Sequence, residues 1–252
     1  MIASKIQHWT ASDGTNLAFH ETGAGAPVVL LHGLFSSAEM NWIKFGHAER
    51  IAAAGFRVIM PDLRAHGLSG KPHEAEHYPN NVLVRDLVEL IAHLELTEYD
   101  LGGFSLGSRT VIEAVIGGLK PRRAVLSGTG LDVLTNWQRR SHFFLKAIEL
   151  FDDVSRGDPH WLSVQFMKTM KVDRIAAAHL LRTMDDREEP AALTAAFTMP
   201  SLVVNGHEDE DNGSAPALAE LIGALYVEVP GTHMTSVTKP ELGKAIADFL
   251  SA

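Results

Sequence analysis

Gly103-Phe104-Ser105-Leu106-Gly107 is a G-x-S-x-G sequence that lies where a predicted strand turns sharply into a predicted helix. The preceding Tyr99-Asp100-Leu101-Gly102 predicts the end of a short strand, and the apolar residues of Thr110-Val111-Ile112-Glu113-Ala114-Val115-Ile116 recur at helical spacing. A serine at such a turn takes a strained backbone conformation, so small residues two positions to either side must let strand and helix approach. Gly103 and Gly107 meet that requirement. The motif alone arises often by chance, and the alternative is a helix N-terminus with glycines for packing.

Three further segments follow in a consistent order. Ala26-Pro27-Val28-Val29-Leu30-Leu31-His32-Gly33-Leu34-Phe35 predicts a buried strand ending in His-Gly, where an acyl-transfer enzyme places a backbone N–H for an oxyanion hole. Ser201-Leu202-Val203-Val204-Asn205-Gly206 predicts a second buried strand, which leads into Glu208-Asp209-Glu210-Asp211. A third strand, Leu225-Tyr226-Val227-Glu228-Val229, precedes the loop Thr232-His233-Met234. The chain order serine, acid, histidine identifies Ser105 as the candidate nucleophile.

With these motifs in place, the sequence resembles the α/β-hydrolase superfamily over nearly its whole length. Asp62-Leu63-Arg64-Ala65-His66-Gly67-Leu68-Ser69 is similar to the loop that these proteins carry after their fourth strand. His32-Gly33-Leu34-Phe35-Ser36-Ser37 is similar to the H-G-L-F-G-S stretch of small bacterial esterases and their mitochondrial relatives. One departure is Phe104, where His is frequent in those relatives, and this difference is expected to reshape the floor of the pocket.

Alternation of predicted strands and helices indicates an α/β protein with a mostly parallel, doubly wound sheet. An opening hairpin is expected around Asp13-Gly14, and helices are expected over residues 48–54, 80–94, 106–119, 215–222 and 240–250. Residues 131–199 break the alternation, because only helical patterns rich in charge and aromatics occur there. The resemblance implies that this insertion is a helical cap. We therefore predict a core of residues 1–130 and 199–252 and a cap of residues 131–198.

Composition limits the class of protein. The 252 residues suit one α/β domain, and 46% hydrophobic with 21% charged residues is ordinary for a globular protein. The chain has no cysteine, which excludes disulfides and thiolate sites. A formal net charge of −9 argues against binding to nucleic acid or anionic membranes. Neither a signal peptide nor an apolar run long enough to span a bilayer is evident, so cytoplasmic residence without membrane insertion is expected.

A serine hydroxyl needs a base, and the base needs a partner that fixes its tautomer. Of the 13 histidines, His233 is the candidate base, while His32 and His66 are interpreted as structural residues of their loops. The candidate acid is Asp209, which lies three residues after Gly206 and matches the G-x-x-D pattern that the family carries after this strand. Asp211 is the second candidate, and Asp132 the third, because some relatives take their acid from that site. No histidine spacing predicts a metal site.

The remaining site residues are predicted by position. The backbone N–H groups of Leu34 and Leu106 are expected to form the oxyanion hole. Aromatic side chains of the insertion are expected to roof an acyl pocket to which the core also contributes, although internal packing is the alternative for each of them. The predicted pocket residues are Phe35, Phe104, Met234, Trp137, Phe143, Phe144, Trp161 and Phe166.

These residues predict a serine hydrolase that cleaves small or medium carboxylic esters without a cofactor. Perhydrolase, lactonase, thioesterase and acyltransferase activities would use the same three residues. Within the family, carbon–carbon bond hydrolases carry a longer glycine-rich oxyanion loop than His32-Gly33-Leu34-Phe35, and epoxide hydrolases and dehalogenases place Asp at the position of Ser105. A receptor without catalytic activity is disfavoured because the serine, acid and histidine are all present.

Overall fold

A computed structural model describes residues 4–132, 137–184 and 190–252 of the chain. The strands are β1 (Lys5–Thr10), β2 (Asn16–Gly23), β3 (Ala26–Leu31), β4 (Phe56–Pro61), β5 (Asp100–Phe104), β6 (Ala124–Ser127), β7 (Ser201–Gly206) and β8 (Leu225–Val229). The helices are α1 (His47–Ala53), α2 (Val82–His93), α3 (Leu106–Ile116), α4 (Trp137–Glu149), α5 (Trp161–Met170), α6 (Arg174–Arg182), α7 (Pro190–Ala196), α8 (Ala215–Ile222), α9 (His233–Ser236) and α10 (Pro240–Ser251). A π-helical turn covers Glu39–Ile43, and 3₁₀ turns cover Ala75–His77 and Glu210–Asn212.

The strands form one sheet in the order β1-β2-β4-β3-β5-β6-β7-β8. β1 and β2 are the predicted antiparallel hairpin, and β2 pairs antiparallel with β4. The pairs from β4 to β8 are parallel. The carboxyl ends of β3, β5, β7 and β8 therefore meet at one edge of the sheet, which is where open α/β sheets bind their ligands.

Alternate side chains of the buried strands face opposite layers of helices. Val28 and Leu30 pack with residues of α1 and α10, while Val29 and Leu31 pack with residues of α2, α3 and α8. A strand that is buried on both faces has a continuous apolar sequence, and β3 has this pattern. The predicted α/β fold with a mostly parallel sheet is confirmed.

Between β6 and β7 the described residues form α4 to α7 and no strand. We call these four helices the helical insertion. The division into a core of residues 1–130 and 199–252 and a cap of residues 131–198 stays a prediction.

Two helix boundaries differ from the sequence prediction by two residues or more, for backbone reasons. The helix expected from residue 80 begins at Val82, because Asn81 takes a left-handed conformation with φ 62°. The helix expected to reach residue 119 ends at Ile116, before Gly117 and Gly118. Gly118 has φ 107°, a conformation that ends helices and that glycine adopts without a steric penalty.

Candidate active site

Ser105 lies between β5 and α3 in a strained conformation. Its φ of 52° and ψ of −111° are values that residues with a side chain rarely adopt. Its amide donates a hydrogen bond of 2.8 Å to the carbonyl of Ser127 on β6. A Cβ atom on Gly103 would lie 2.2 Å from the carbonyl carbon of Gly107, and one on Gly107 would lie 2.3 Å from the carbonyl oxygen of Leu31. The predicted need for glycine at both positions is confirmed.

His233 lies between Ser105 and Asp209. Its Nε2 atom is 3.1 Å from Ser105 Oγ, and its Nδ1 atom is 3.0 Å from Asp209 Oδ2. A carboxylate only accepts hydrogen bonds, so the ring proton of neutral His233 lies on Nδ1 and Nε2 is left to accept from the serine hydroxyl. Thr232 caps α9, whose first residue is His233, by accepting from the amide of Thr235. The structure therefore brings the three predicted residues into one hydrogen-bonded row.

The two other candidate acids lie elsewhere. The Asp209 side chain is buried, whereas Asp211 and Asp132 are exposed. The backbone carbonyl of Asp211 accepts from Arg140, and the amide of Asp132 donates to Ser214 Oγ. Among the three acids, all within the described residues, Asp209 is the one that contacts His233.

Asn212 is a residue of this site that the sequence reasoning missed. Its side-chain Nδ2 lies 2.9 and 3.0 Å from the two carboxylate oxygens of Asp209 and 2.9 Å from His233 Nδ1. Asn212 is buried, and it ends the 3₁₀ turn that follows Asp209. Its position three residues after the acid is a signal for a local side-chain contact, but Asn and Asp favour such turns in many loops.

The loop after β3 presents the amide of Leu34. The amides of Gly33, Phe35 and Ser36 donate to Asn41 Oδ1, His66 Nε2 and the carbonyl of Gly33, respectively. Within the described residues, no acceptor is placed on the amide of Leu34. The amide of Leu106 is the first of α3 and has no acceptor within the helix. Neither of the two amides predicted for the oxyanion hole therefore has an acceptor in its own loop or helix, and their role stays a prediction.

Two buried histidines hold this loop. Because the backbone amides of Phe35 and Leu63 can only donate, His66 Nε2 and His32 Nε2 accept, and both rings carry their proton on Nδ1. Burial lowers the pKa of His66 to about 3, and burial also lowers the pKa of His32. Both rings therefore stay neutral at physiological pH. Phe35, whose φ of 58° is left-handed, is held in that conformation by the bond from its amide to His66.

The predicted pocket residues occupy distinct places. Phe35 meets Phe144 of α4 edge to face, with ring centroids 5.5 Å apart, and Phe144 in turn meets Phe143 at 5.4 Å. Phe143 stacks on His160 at 4.6 Å. These contacts form an aromatic row from the loop after β3 into the helical insertion.

The other pocket candidates lie around this row or behind the histidine. Phe104 is buried against the ring of His233, with centroids 5.1 Å apart. Trp137 is buried beneath the guanidinium of Arg109, which lies 4.8 Å from the ring centroid. Met234 is exposed, while Trp161 and Phe166 are partly buried on α5. Their roles in binding a substrate stay predictions.

In the part of the chain that the structure describes, no three histidine, aspartate or glutamate side chains are grouped as ligands for a metal ion. No helix of residues 4–132, 137–184 or 190–252 is long and apolar enough to cross a membrane.

Comparison with known proteins agrees with the fold. The chain matches the sequence model of the alpha/beta hydrolase fold over residues 26–187. An epoxide hydrolase from Caballeronia sordidicola is 33% identical over 113 residues, which are 45% of this chain but 33% of that protein. The 2-hydroxymuconate semialdehyde hydrolase from Pseudomonas sp. (strain CF600) is 25% identical over 259 residues, covering 94% of this chain and 90% of that protein. The structure of a thermophilic esterase from Thermogutta terrifontis matches with a TM-score of 0.72 and 25% identity, covering 98% of both chains. Since the family model covers more than half of its residues, the chain belongs to the alpha/beta hydrolase fold family.

Proposed function

We propose that the chain hydrolyses carboxylic esters of small or medium acyl groups, with Ser105 as nucleophile, His233 as general base and acid, and Asp209 as the acid of the triad. The observation that carries the proposal is the row Ser105 Oγ, His233 Nε2, His233 Nδ1, Asp209 Oδ2, with successive contacts of 3.1 and 3.0 Å between residues. A strained serine whose hydroxyl lies beside an imidazole that a carboxylate orients is the arrangement that an acyl-transfer nucleophile needs.

The reaction follows from these positions. Ser105 Oγ attacks the ester carbonyl while its proton passes to His233 Nε2, and Asp209 stabilises the imidazolium through Nδ1–H. The negative charge that develops on the carbonyl oxygen is stabilised by the amides of Leu34 and Leu106. The tetrahedral intermediate collapses when His233 returns the proton to the alkoxide leaving group. Water then attacks the acyl-enzyme by the same steps, releasing the carboxylic acid and restoring Ser105.

The site favours carbonyl chemistry over epoxide opening. Opening an epoxide through a covalent ester requires a carboxylate nucleophile, and position 105 is a serine. We therefore do not propose epoxide hydrolysis for this chain. The matched epoxide hydrolase is similar to it over a segment that makes up 33% of that protein's length. Perhydrolase, lactonase, thioesterase and acyltransferase activities begin with the same attack on a carbonyl and differ in the second substrate or leaving group.

A second candidate rests on the relative that matches over nearly the whole chain. That relative is named a 2-hydroxymuconate semialdehyde hydrolase. Carbon–carbon bond hydrolases of the family carry a longer glycine-rich oxyanion loop. Because the loop His32-Gly33-Leu34-Phe35 is short and has one glycine, it favours ester hydrolysis over this alternative.

A substrate panel tests the proposal. Wild-type protein and Ser105→Ala are assayed with p-nitrophenyl esters of graded acyl length, a lactone, a thioester and 2-hydroxymuconate semialdehyde. We expect the wild type to hydrolyse esters and Ser105→Ala to lose a factor of about 10⁴ in turnover. Cleavage of the semialdehyde alone would replace the proposal by the second candidate, and turnover by Ser105→Ala within tenfold of wild type would contradict both.

A further inference from the structure

The buried carboxylate of Asp209 depends on few donors. Among the described residues, the side chains that donate to it are His233, at Oδ2, and Asn212, at both oxygens. A buried carboxylate without hydrogen bonds is costly, and its orientation decides whether it meets His233 Nδ1. The amide of Asn212 spans both oxygens and so fixes the plane of the carboxylate.

The surroundings determine which end of the Asn212 amide faces Asp209. Its Nδ2 faces two carboxylate oxygens, and its Oδ1 lies 3.4 Å from Arg140 Nη2. A flipped amide would set an oxygen against the carboxylate and an NH₂ group against a guanidinium, and both contacts would be repulsive. Nδ2 also lies 2.9 Å from His233 Nδ1, a contact between two donors that both point to the carboxylate, and this orientation is held against it by the two carboxylate contacts and by Arg140. Arg140 therefore favours the orientation in which Asn212 donates to Asp209.

Arg140 belongs to the helical insertion, not to the sheet that carries the acid. Its Nη2 also donates to the carbonyl of Asp211, at 2.7 Å, so one guanidinium binds both the Asn212 side chain and the backbone of the residue before it. Burial lowers the pKa of Arg140, while the nearby Asp211 and Asp209 charges oppose that change, so the guanidinium stays positively charged.

One face of α4 contacts three parts of the candidate site. Trp137, Arg140 and Phe144 are three and four residues apart, which places them on the same side of the helix. Trp137 packs on Arg109 of α3, Arg140 binds the acid turn, and Phe144 meets Phe35 in the loop after β3. A shift of α4 would therefore act on the nucleophile helix, the acid turn and the loop after β3 together.

We propose that Asn212 is a positioning residue for the triad acid and that Arg140, acting through Asn212, couples the helical insertion to the triad. The proposal rests on the proposed function in that Asp209 and His233 are taken as the working acid and base. Neither residue touches substrate. Their effect is on turnover, through the orientation of Asp209, and not on substrate affinity.

The test uses two pairs of variants in the full chain. Asn212→Leu removes both donors at nearly constant volume, and Asn212→Asp replaces them by acceptors at constant shape. Arg140→Met removes the guanidinium and keeps an apolar stem, and Arg139→Met is its control, since Arg139 is the exposed neighbour on the same helix. Thermal unfolding of each variant separates loss of fold from loss of positioning.

The first measurement needs no substrate. The proton on His233 Nδ1, shared with Asp209, gives a far-downfield proton NMR resonance that is identified by its loss in His233→Gln. We expect this resonance to shift or broaden in both Asn212 variants and in Arg140→Met, and to stay in place in Arg139→Met. A resonance unchanged in both Asn212 variants would overturn the positioning role of Asn212, and equal shifts in Arg139→Met and Arg140→Met would overturn that of Arg140.

The second measurement is the division of the effect between kcat and KM for an ester that the wild type cleaves. We expect kcat to fall about 10- to 100-fold for Asn212→Leu, further for Asn212→Asp, and about three- to tenfold for Arg140→Met, with little change in KM. A folded Asn212→Leu variant with wild-type kcat would contradict the proposal. If no ester is cleaved by the wild type, the proposed function fails, while the NMR experiment still decides whether Asn212 and Arg140 orient Asp209.

Discussion

His233 Nε2 lies 3.1 Å from Ser105 Oγ, although 128 positions separate the two residues in the chain. The contact exists because parallel strands end at one edge of the sheet: Ser105 follows β5, and His233 follows β8. Asp209, after β7, lies on the far side of the imidazole at 3.0 Å. The row does not follow the order of the strands, since β7 lies between β5 and β8, whereas His233, which follows β8, lies between Ser105 and Asp209.

We expect Asp209→Asn to lower turnover far more than Asp211→Asn. Of these two acids, Asp209 is the one that contacts His233, and an amide in its place would favour the wrong tautomer of the ring, which in a well-studied serine protease costs about 10⁴-fold. Steady-state kinetics of the two variants check this. The reverse order would move the acid to Asp211, and two mild effects would point to Asp132.

Much of this candidate site could be predicted from the sequence, because several of its parts have a recognisable local pattern. The G-x-S-x-G turn, the His-Gly turn and the strand that leads to Asp209 each have a signature within a few residues, and they were all placed correctly in the sheet. Asn212 was missed because a polar residue three positions after an acid is common in turns. Arg140 was missed because its contact with Asn212 joins positions 72 residues apart, on elements whose relative placement no local pattern specifies. The hydrogen bond between Phe35 and His66 was missed for the same reason as that of Arg140, since the two residues lie 31 positions apart.

Gly107→Ala is expected to destabilise the fold, because the new methyl would lie 2.3 Å from the carbonyl oxygen of Leu31 in the buried strand β3. Neither backbone can retreat without breaking the sheet, so we expect a loss of about 2 kcal/mol or more in the free energy of unfolding. Urea denaturation measures it. Gly213→Ala is the control, since a Cβ atom on Gly213 would lie 3.6 Å from its nearest neighbour, the carbonyl oxygen of Glu210. Equal stability of the two variants would mean that α3 and β3 leave room for a methyl group at position 107.

His66 can be tested by two substitutions that each keep one of its hydrogen bonds. The oxygen of His66→Gln can reach the place of Nε2 and accept from Phe35, whereas His66→Asn keeps the position of Nδ1, 2.8 Å from the Arg64 carbonyl, and loses the Phe35 amide. We expect turnover of His66→Asn to be about tenfold below that of His66→Gln, because the loop that carries the Leu34 amide loosens. Equal turnover of the two variants would show that the hydrogen bond from Phe35 to His66 does not support the oxyanion hole.

Shortening an aromatic residue of the helical insertion should change the preferred acyl length. The measured quantity is the ratio of kcat/KM for a long and a short ester in alanine variants of Trp137, Phe143, Phe144, Trp161 and Phe166. Phe144→Ala should change the ratio most, about tenfold, since its ring meets Phe35, while the rate with an acetyl ester stays nearly constant. Five unchanged ratios would show that these rings pack internally and that the pocket is built elsewhere.

Ser105 is proposed as an activated nucleophile, and covalent labelling by a fluorophosphonate probe is the direct test of this role. The probe reacts with a serine whose proton a neighbouring base removes, and peptide mass spectrometry identifies the labelled residue. We predict rapid labelling of wild type at Ser105, slow labelling of His233→Gln, and none of Ser105→Ala. Wild-type protein that stays unlabelled, or that carries the label on another residue, would contradict the account.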